Sequence, residues 1–493
     1  MDAATDLGGS MPTWLLYPAT LAMGLVLVLL LIRGRSVAAR FALFALCFRN
    51  IASANHAIAF LASPVGLSWN ALGSSGVFAL GLLFIRVKNL LIRQMVPVYI
   101  LIGVVTLSGV ANHDPRGVID VVIKLGYFAI ITLAVYEGLE DLGERRMMKL
   151  LLWAFLLPFV LQVASVALGV VKASESDGST SYIGGYSHEA AFSVILMTCF
   201  VVACFASGLR PFFRISLLII CLGAILLANY RTAILALAPL AVAQFNLDII
   251  SRFSHRQRIG IGVVLLAVSI PILIGAAWLM RERFADLAVV MGNLDNLIKR
   301  PEQYTFEEAR LLSGRAYLWS QYISGYLEGD GRNLLLGFGP NAWADVFAIY
   351  AHNTLVSTLY EYGILGVLAM LGLWGSMFWA ACRIQNGPRG KVMAAHITFL
   401  LLNMATMPHW MLEGNILYGV ICGYTLHLFL RRLPVLSTQE REESGVLPAK
   451  PQWAPIGPSP MRAVAAPRPA GRRLAPVADL RGMVTPPHRQ GRD

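Results

Sequence analysis

The segment Trp14–Arg40, WLLYPATLAMGLVLVLLLIRGRSVAAR, decides the architecture. Residues 14–32 carry no charged side chain, and Arg33, Arg35 and Arg40 follow at once. A helix rising about 1.5 Å per residue needs roughly 20 apolar residues to cross about 30 Å of hydrocarbon, so this run is long enough to span. The same pattern fills the chain. Of 493 residues, 57% are hydrophobic and 14% charged, with a mean hydropathy of +0.63. An ordinary soluble domain is about 25% charged, so too few charges exist to cover a water-soluble globule. What remains is an all-α polytopic membrane bundle, because a backbone in lipid must satisfy its hydrogen bonds internally. Secreted, disordered and nucleic-acid-binding classes are excluded together.

Thirteen apolar runs recur, at roughly 14–32, 41–63, 71–85, 95–111, 118–136, 150–171, 189–207, 212–228, 232–247, 260–280, 352–381, 392–410 and 412–430. They predict about 13 spans, within 12–14. The first lacks a basic flank before it, with only Asp2 and Asp6 there, and is expected to be a retained helix. Alternate loops hold cation groups such as Arg86, Lys88 and Arg93, or Arg145, Arg146 and Lys149, whereas the intervening short loops hold only Arg116, Lys172 and Arg231. Lys and Arg in short loops stay cytoplasmic. The net charge of +12 is therefore a topology signal, with the amino terminus and the long loop on the outer face. The expected organisation is ten helices over 1–280, a catalytic loop over 281–351, three helices over 352–432 and a cytoplasmic tail over 433–493. The tail holds eleven of the 24 prolines and cannot bury enough surface to order itself. The six cysteines lie inside apolar runs and read as small hydrophobes.

Three outer-face strings carry candidate chemistry. Asn229-Tyr230-Arg231-Thr232 follows an apolar run, Ile215–Ala228, that rises only about 21 Å, which would recess Arg231 below the interface unless Phe212 and Phe213 lengthen the helix. A recessed guanidinium holds an anion or snorkels to the headgroups. On a helix over 306–326, Arg315 shares an apolar stripe with Leu311, Leu318, Trp319 and Tyr322. That stripe suits the membrane interface, with Arg315 aimed at a phosphate or paired with Glu307, Glu308 or Glu328. His352 and Asn353 open the helix where the long loop re-enters the bilayer, on a face with Gly363 and Gly366 that permits close helix packing. A histidine there serves as a cap or as a base. Glu361, about 13 Å deeper, is expected to pair with another helix. His188 and Glu189 open a further helix at the same face and are weaker candidates. No Walker loop, H-E-x-x-H or D-x-D pair occurs, so the chemistry is expected to rest on Arg and His, without metal or cofactor.

The strings SGRAYLW (313–319), LLLGFGP (334–340), AHNTLVSTLYEYGILG (351–366) and ANYRTAILALAPL (228–240) resemble, in this order, the signature of the O-antigen ligase and polysaccharide polymerase superfamily. The resemblance covers residues 182–381. That family has an even number of helices with both termini inside, from which an outside amino terminus departs. The resemblance implies a metal-independent glycosyltransferase of the bacterial inner membrane, working on the periplasmic face. Its donor would be an undecaprenyl-diphosphate-linked oligosaccharide. Arg231 and Arg315 would hold the diphosphate, His352 would position or deprotonate the acceptor hydroxyl, and Tyr230, Asn353, His188 and Glu189 would line the substrate.

The acceptor would be a growing glycan chain in a polymerase or lipid A-core in a ligase. The YRTA and AHNTLVS contexts look more like exopolysaccharide polymerases. Chain-length regulators or export proteins would be further partners. A lipid-linked glycan transporter is the alternative outside the family, and would leave its substrate chemically unchanged.

Overall fold

The structure is a computed structural model that describes residues 9–173, 180–250, 254–279 and 299–431. The readings of Asp2 and Asp6, of 281–298 and of the 433–493 tail lie outside these residues. The described chain is helical nearly throughout, with one two-residue antiparallel pair between β1 (Lys172–Ala173) and β2 (Thr180–Ser181). The helices of the first half are α1 (Thr13–Arg33), α2 (Val37–Ala54), α3 (Trp69–Phe84), α4 (Val96–Ala111), α5 (Pro115–Leu142), α6 (Glu144–Leu152), α7 (Leu156–Leu168) and α8 (Glu189–Phe205). Then follow α9 (Pro211–Ala228), α10 (Arg231–Ile250), α11 (His255–Leu279), α12 (Arg315–Leu327), α13 (Gly331–Leu336), α14 (Thr354–Cys382), α15 (Asn386–Ala405) and α16 (Leu412–Leu430). Seven helical stretches among the described residues are long and apolar enough to cross a bilayer: α1, α2, 93–111, α5, 144–168, α9 and α14. The chain is an all-α membrane protein.

Local chemistry sets the boundaries. Ser36 caps α2 by accepting from the Ala39 N–H at 3.2 Å. Asp114 caps α5 by accepting from the Gly117 N–H at 2.9 Å, with Pro115 at the first helical position where its missing donor costs nothing. Helix α9 begins at Pro211 and includes the exposed Phe212 and Phe213. Its 18 residues rise about 27 Å, so the short-span argument for recessing Arg231 does not hold.

Helix α16 sits at the centre of the packing, buried along nearly its whole length. A Cβ at Gly419 would lie 2.7 Å from the Ile131 side chain, and one at Gly423 would lie 2.6 Å from the Thr132 carbonyl. The Gly-x-x-x-Gly pair thus lets α16 approach the α5 backbone closely. Tyr424 stacks on Phe205 and Tyr418 on Phe399, both at 4.1 Å between centroids.

The loops sort into two ends. At one, the Ser36 hydroxyl and the Arg86 guanidinium both bond Asp141 at 2.6 Å, and Ser207 bonds Glu144. These belong to the cation-rich loops. At the other, Arg332 bonds the Ala111 carbonyl at 3.0 Å, Asn341 bonds Asp120 at 3.3 Å, and the Tyr182 N–H bonds the Leu227 carbonyl at 3.0 Å. That second end gathers the cation-poor loops and every string singled out in the sequence.

At the second end α2 and α16 are joined by a buried ion pair, Arg49 to Glu413 at 2.8 Å, with side chains 11% and 2% exposed. Ser53 also donates to Glu413 at 2.7 Å, and Arg49 to Asn70. Removing one partner of a buried pair leaves the other charge uncompensated, which costs about 3–5 kcal/mol. Arg49→Ala is therefore expected to lower the thermal unfolding temperature sharply, and Glu413→Gln added to it is expected to recover much of the loss. Equal unfolding temperatures for the single and double variants would contradict this.

Helix α14 is not continuous. Gly363 has φ +63° and breaks it, so the carbonyls of Tyr360 and Glu361 lose the partners that lie past the break. The segment 337–340 crosses there and supplies replacements. The Phe338 N–H bonds Tyr360 O and the Gly339 N–H bonds Glu361 O, each at 3.0 Å, while the Ser108 hydroxyl reaches Glu361 O at 2.9 Å. Gly363 itself lies against the last turn of the short helix α13, where a Cβ would come within 2.4 Å of the Leu335 carbonyl oxygen, so the close helix packing expected from its stripe is present. Glu361, by contrast, pairs with its own helix and this crossing strap: its carboxylate accepts from Ser357 at 2.8 Å and from the Asn341 N–H at 3.2 Å.

Candidate functional site

The site is organised by α12. Residues 308–314 form 3-10 turns and Gly314 takes φ +79°, so the helix begins at Arg315 itself. Arg315 and Trp319 are four apart and share a face. The Trp319 indole N–H donates to the Ala351 carbonyl at 2.7 Å. One turn further, the Tyr322 hydroxyl donates to the Ile349 carbonyl at 3.0 Å, and its ring stacks on Phe347 at 4.0 Å. The aromatic stripe therefore clamps the 347–351 segment. It packs against the protein through these contacts. The clamp brings Arg315 beside His352.

His352 has φ +50°, a sparsely populated region for a residue with a side chain. The next residue explains how it is held. Asn353 caps α14, its Oδ1 accepting from the Leu355 and Val356 N–H groups at 2.9 and 3.2 Å, and its Nδ2 donating to the Met404 carbonyl at 3.0 Å. Both ends of its amide are engaged in structure, so the capping part belongs to Asn353 and the imidazole of His352 is left to face the cluster.

Tyr350, which opens the string holding His352 and has no role assigned from sequence, packs directly on that histidine, at 4.1 Å between ring centroids. Burial pushes its hydroxyl up to about 12, with Tyr230, Glu189 and Arg315 close enough to be felt. Burial holds His352 down at about 4, and the neighbouring Arg315 and His188 push the same way. Thus Arg315, His188, Glu189 and Tyr230 lie within electrostatic reach of the packed Tyr350–His352 rings, although the group spans residues 188–352. Arg231 begins α10 directly after Tyr230.

Of the carboxylates offered to Arg315, Glu308 is bound by Lys299 at 2.6 Å and by the Thr305 N–H at 2.8 Å. Those contacts, Lys299 foremost, lower its carboxyl to about 2. Among the described residues Arg315 makes no ion pair. His188 caps α8 through Nδ1, which accepts from the Ala190 N–H at 3.0 Å. That bond assigns its proton to Nε2, so the 3.9 Å approach of Glu189 to Nδ1 is not an ion pair in this tautomer. Among the described residues no cluster of three metal-ligating side chains occurs.

Beside the cluster lies a cavity of about 610 Å³, lined by His188 and Tyr350 and by Asn341, Trp343, Asp120 and Trp410 among others. None of these four stood out in the sequence, because each is an ordinary residue until the fold juxtaposes them. The arrangement offers a guanidinium with no ion pair among the described residues, an imidazole held low by burial, and a ligand-sized chamber whose lining shares His188 and Tyr350 with the cluster. No protein-family model matches the chain, and no curated protein matches it in sequence.

Proposed function

We propose that the chain is a glycan polymerase of the bacterial inner membrane, with about thirteen spans and its site on the periplasmic face. It would join undecaprenyl-diphosphate-linked repeat units into exopolysaccharide, capsule or O-antigen. The observation that carries this reading is the packing of His352 on Tyr350 at 4.1 Å with Arg315, His188, Glu189 and Tyr230 within electrostatic reach of the pair. The gathering of cation-poor loops at that end supports the outward placement.

In the proposed reaction an acceptor hydroxyl oxygen attacks the anomeric carbon of the donor. The bond from that carbon to the diphosphate oxygen breaks, and undecaprenyl diphosphate leaves with the electron pair. Arg231 and Arg315 bind the diphosphate and offset its growing charge, without a metal ion. His352 takes the hydroxyl proton, and a single displacement inverts the anomeric centre.

The electrostatics couple these parts. Bound diphosphate cancels the Arg315 charge that helps hold His352 low, so donor binding raises the imidazole pKa toward a working base. The acid limb of kcat/KM, which reports the free enzyme, is expected near pH 4. The limb of kcat, which reports the complex, is expected at higher pH. Coincident limbs near the ordinary 6.5 would contradict this. The same depression gives a stability trend. Between pH 6.5 and about 4 the unfolded chain binds the proton that the folded chain refuses, so stability falls as pH falls through that window.

The test is a reconstituted reaction with a lipid-diphosphate-linked oligosaccharide, read as glycan length by mass spectrometry. Growth in whole repeat units supports the polymerase. Transfer only on addition of lipid A-core moves the assignment to ligase, and an unaltered donor under every acceptor condition moves it to transport.

A further inference from the structure

We propose that the cavity beside the cluster is a saccharide subsite, which holds the acceptor glycan while its hydroxyl meets His352. The role as acceptor site rests on the transferase reading above. At about 610 Å³ the chamber falls within the roughly 300–1,000 Å³ of small-molecule sites. Its wall reaches the imidazole's neighbour, since the lining residue Trp343 meets Tyr350 edge-on at 6.0 Å and Tyr350 packs on His352 at 4.1 Å.

Its lining alternates two kinds of surface. Trp343 and Trp410 supply indole faces. Between them stands a polar bracket, in which Asp120 accepts from Lys124 at 2.7 Å and from the Asn341 amide at 3.3 Å, and Lys124 lies 5.9 Å from the Trp410 ring.

A sugar fits both surfaces at once. Its C–H faces pack on indoles, and each hydroxyl both donates and accepts, which suits a carboxylate, an amide and an ammonium set side by side. A lipid tail would leave the bracket unused.

The experiment uses the full chain in nanodiscs and, as probe, the lipid-free oligosaccharide released by mild acid from the lipid-linked donor. Binding is followed by calorimetry, and folding of each variant by thermal unfolding. Saturable binding is expected for wild type and for His352→Ala. Trp343→Ala and Asp120→Asn are expected to weaken it by about tenfold or more, with Trp343→Phe recovering part. In the transfer reaction those two variants should raise the acceptor KM more than they lower kcat.

Absent binding by folded wild type, or equal affinity in all variants, overturns the subsite. Competition by sugar-free undecaprenyl phosphate with the same dependence on Trp343 overturns it in favour of a lipid. The two readings fail separately. Transfer at wild-type KM in both cavity variants removes the subsite and keeps the transferase. Oligosaccharide binding that depends on Trp343, without transfer to any acceptor, keeps a saccharide site and removes the transferase.

Discussion

Alanine at His352 is expected to lower glycan transfer by about 10²–10⁴-fold, the usual contribution of a positioned general base. Alanine at Arg315 is expected to cost about 10²–10³-fold, as for other fixed groups that stabilise developing charge. Neither change should unfold the chain. His352 contributes no cap, since Asn353 does that work, and Arg315 joins no ion pair among the described residues. The two effects should not multiply in the double variant, because residues acting on one transition state are strongly non-additive. Arg315→Lys keeps the charge but loses the planar fork that matches phosphate oxygens, and should recover only part of the activity. Single-turnover rates on variants matched for unfolding temperature check this. A folded His352→Ala protein with wild-type rate would remove the histidine from the chemistry.

The second large effect is structural. Gly337→Ala should destabilise the chain by about 3 kcal/mol or more. A left-handed backbone costs a residue with a Cβ about 1–2 kcal/mol, and overpacking adds about 1–3 kcal/mol. Gly337 sits at φ +72°, and a Cβ there would lie 2.2 Å from the Glu361 carbonyl carbon. Gly363→Ala should behave alike, with φ +63° and the Leu335 oxygen 2.4 Å away. These contacts are backbone to backbone, so no side-chain rotation relieves them. Gly24 and Gly76 provide internal controls, because both lie in helices and a Cβ at either meets nothing within 4 Å. Alanine at these positions should be neutral or stabilising by up to about 1 kcal/mol. Thermal unfolding of the four variants in one detergent compares them. If Gly337→Ala unfolds with Gly24→Ala, the strap is not the tight crossing described.

How much of this is written in the linear sequence depends on the range of the interactions. Apolar runs mark helices because lipid forces backbone satisfaction locally, and the run 412–430 coincides with α16 to the residue. The loop alternation is also local, and the same loops separate into the two ends of the bundle. The position of Arg315 was legible in part. Its apolar stripe is real, but it packs on 347–351, a partner some thirty residues away that periodicity cannot name. The break in α14 was hidden because Gly363 looks like any small residue on a helix face until the end of α13 is placed against it and the following strap bonds the carbonyls of Tyr360 and Glu361. The shortness of α9 was misread because exposed Phe212 and Phe213 belong to the helix. Tyr350 and the Asp120–Lys124–Asn341 bracket were invisible for the same reason, since their chemistry exists only through contacts between distant segments.

The central claim is that one site both holds a lipid diphosphate and drives its departure from a sugar. The most direct measurement is the amount of free undecaprenyl diphosphate released per glycosidic bond formed, with EDTA present throughout. Wild type is expected to release one equivalent per new bond, indifferent to EDTA, with release and bond formation lost together in Arg315→Ala and His352→Ala. Donor recovered intact from folded wild type in the presence of acceptor, or bond formation unchanged in both variants, would contradict the account.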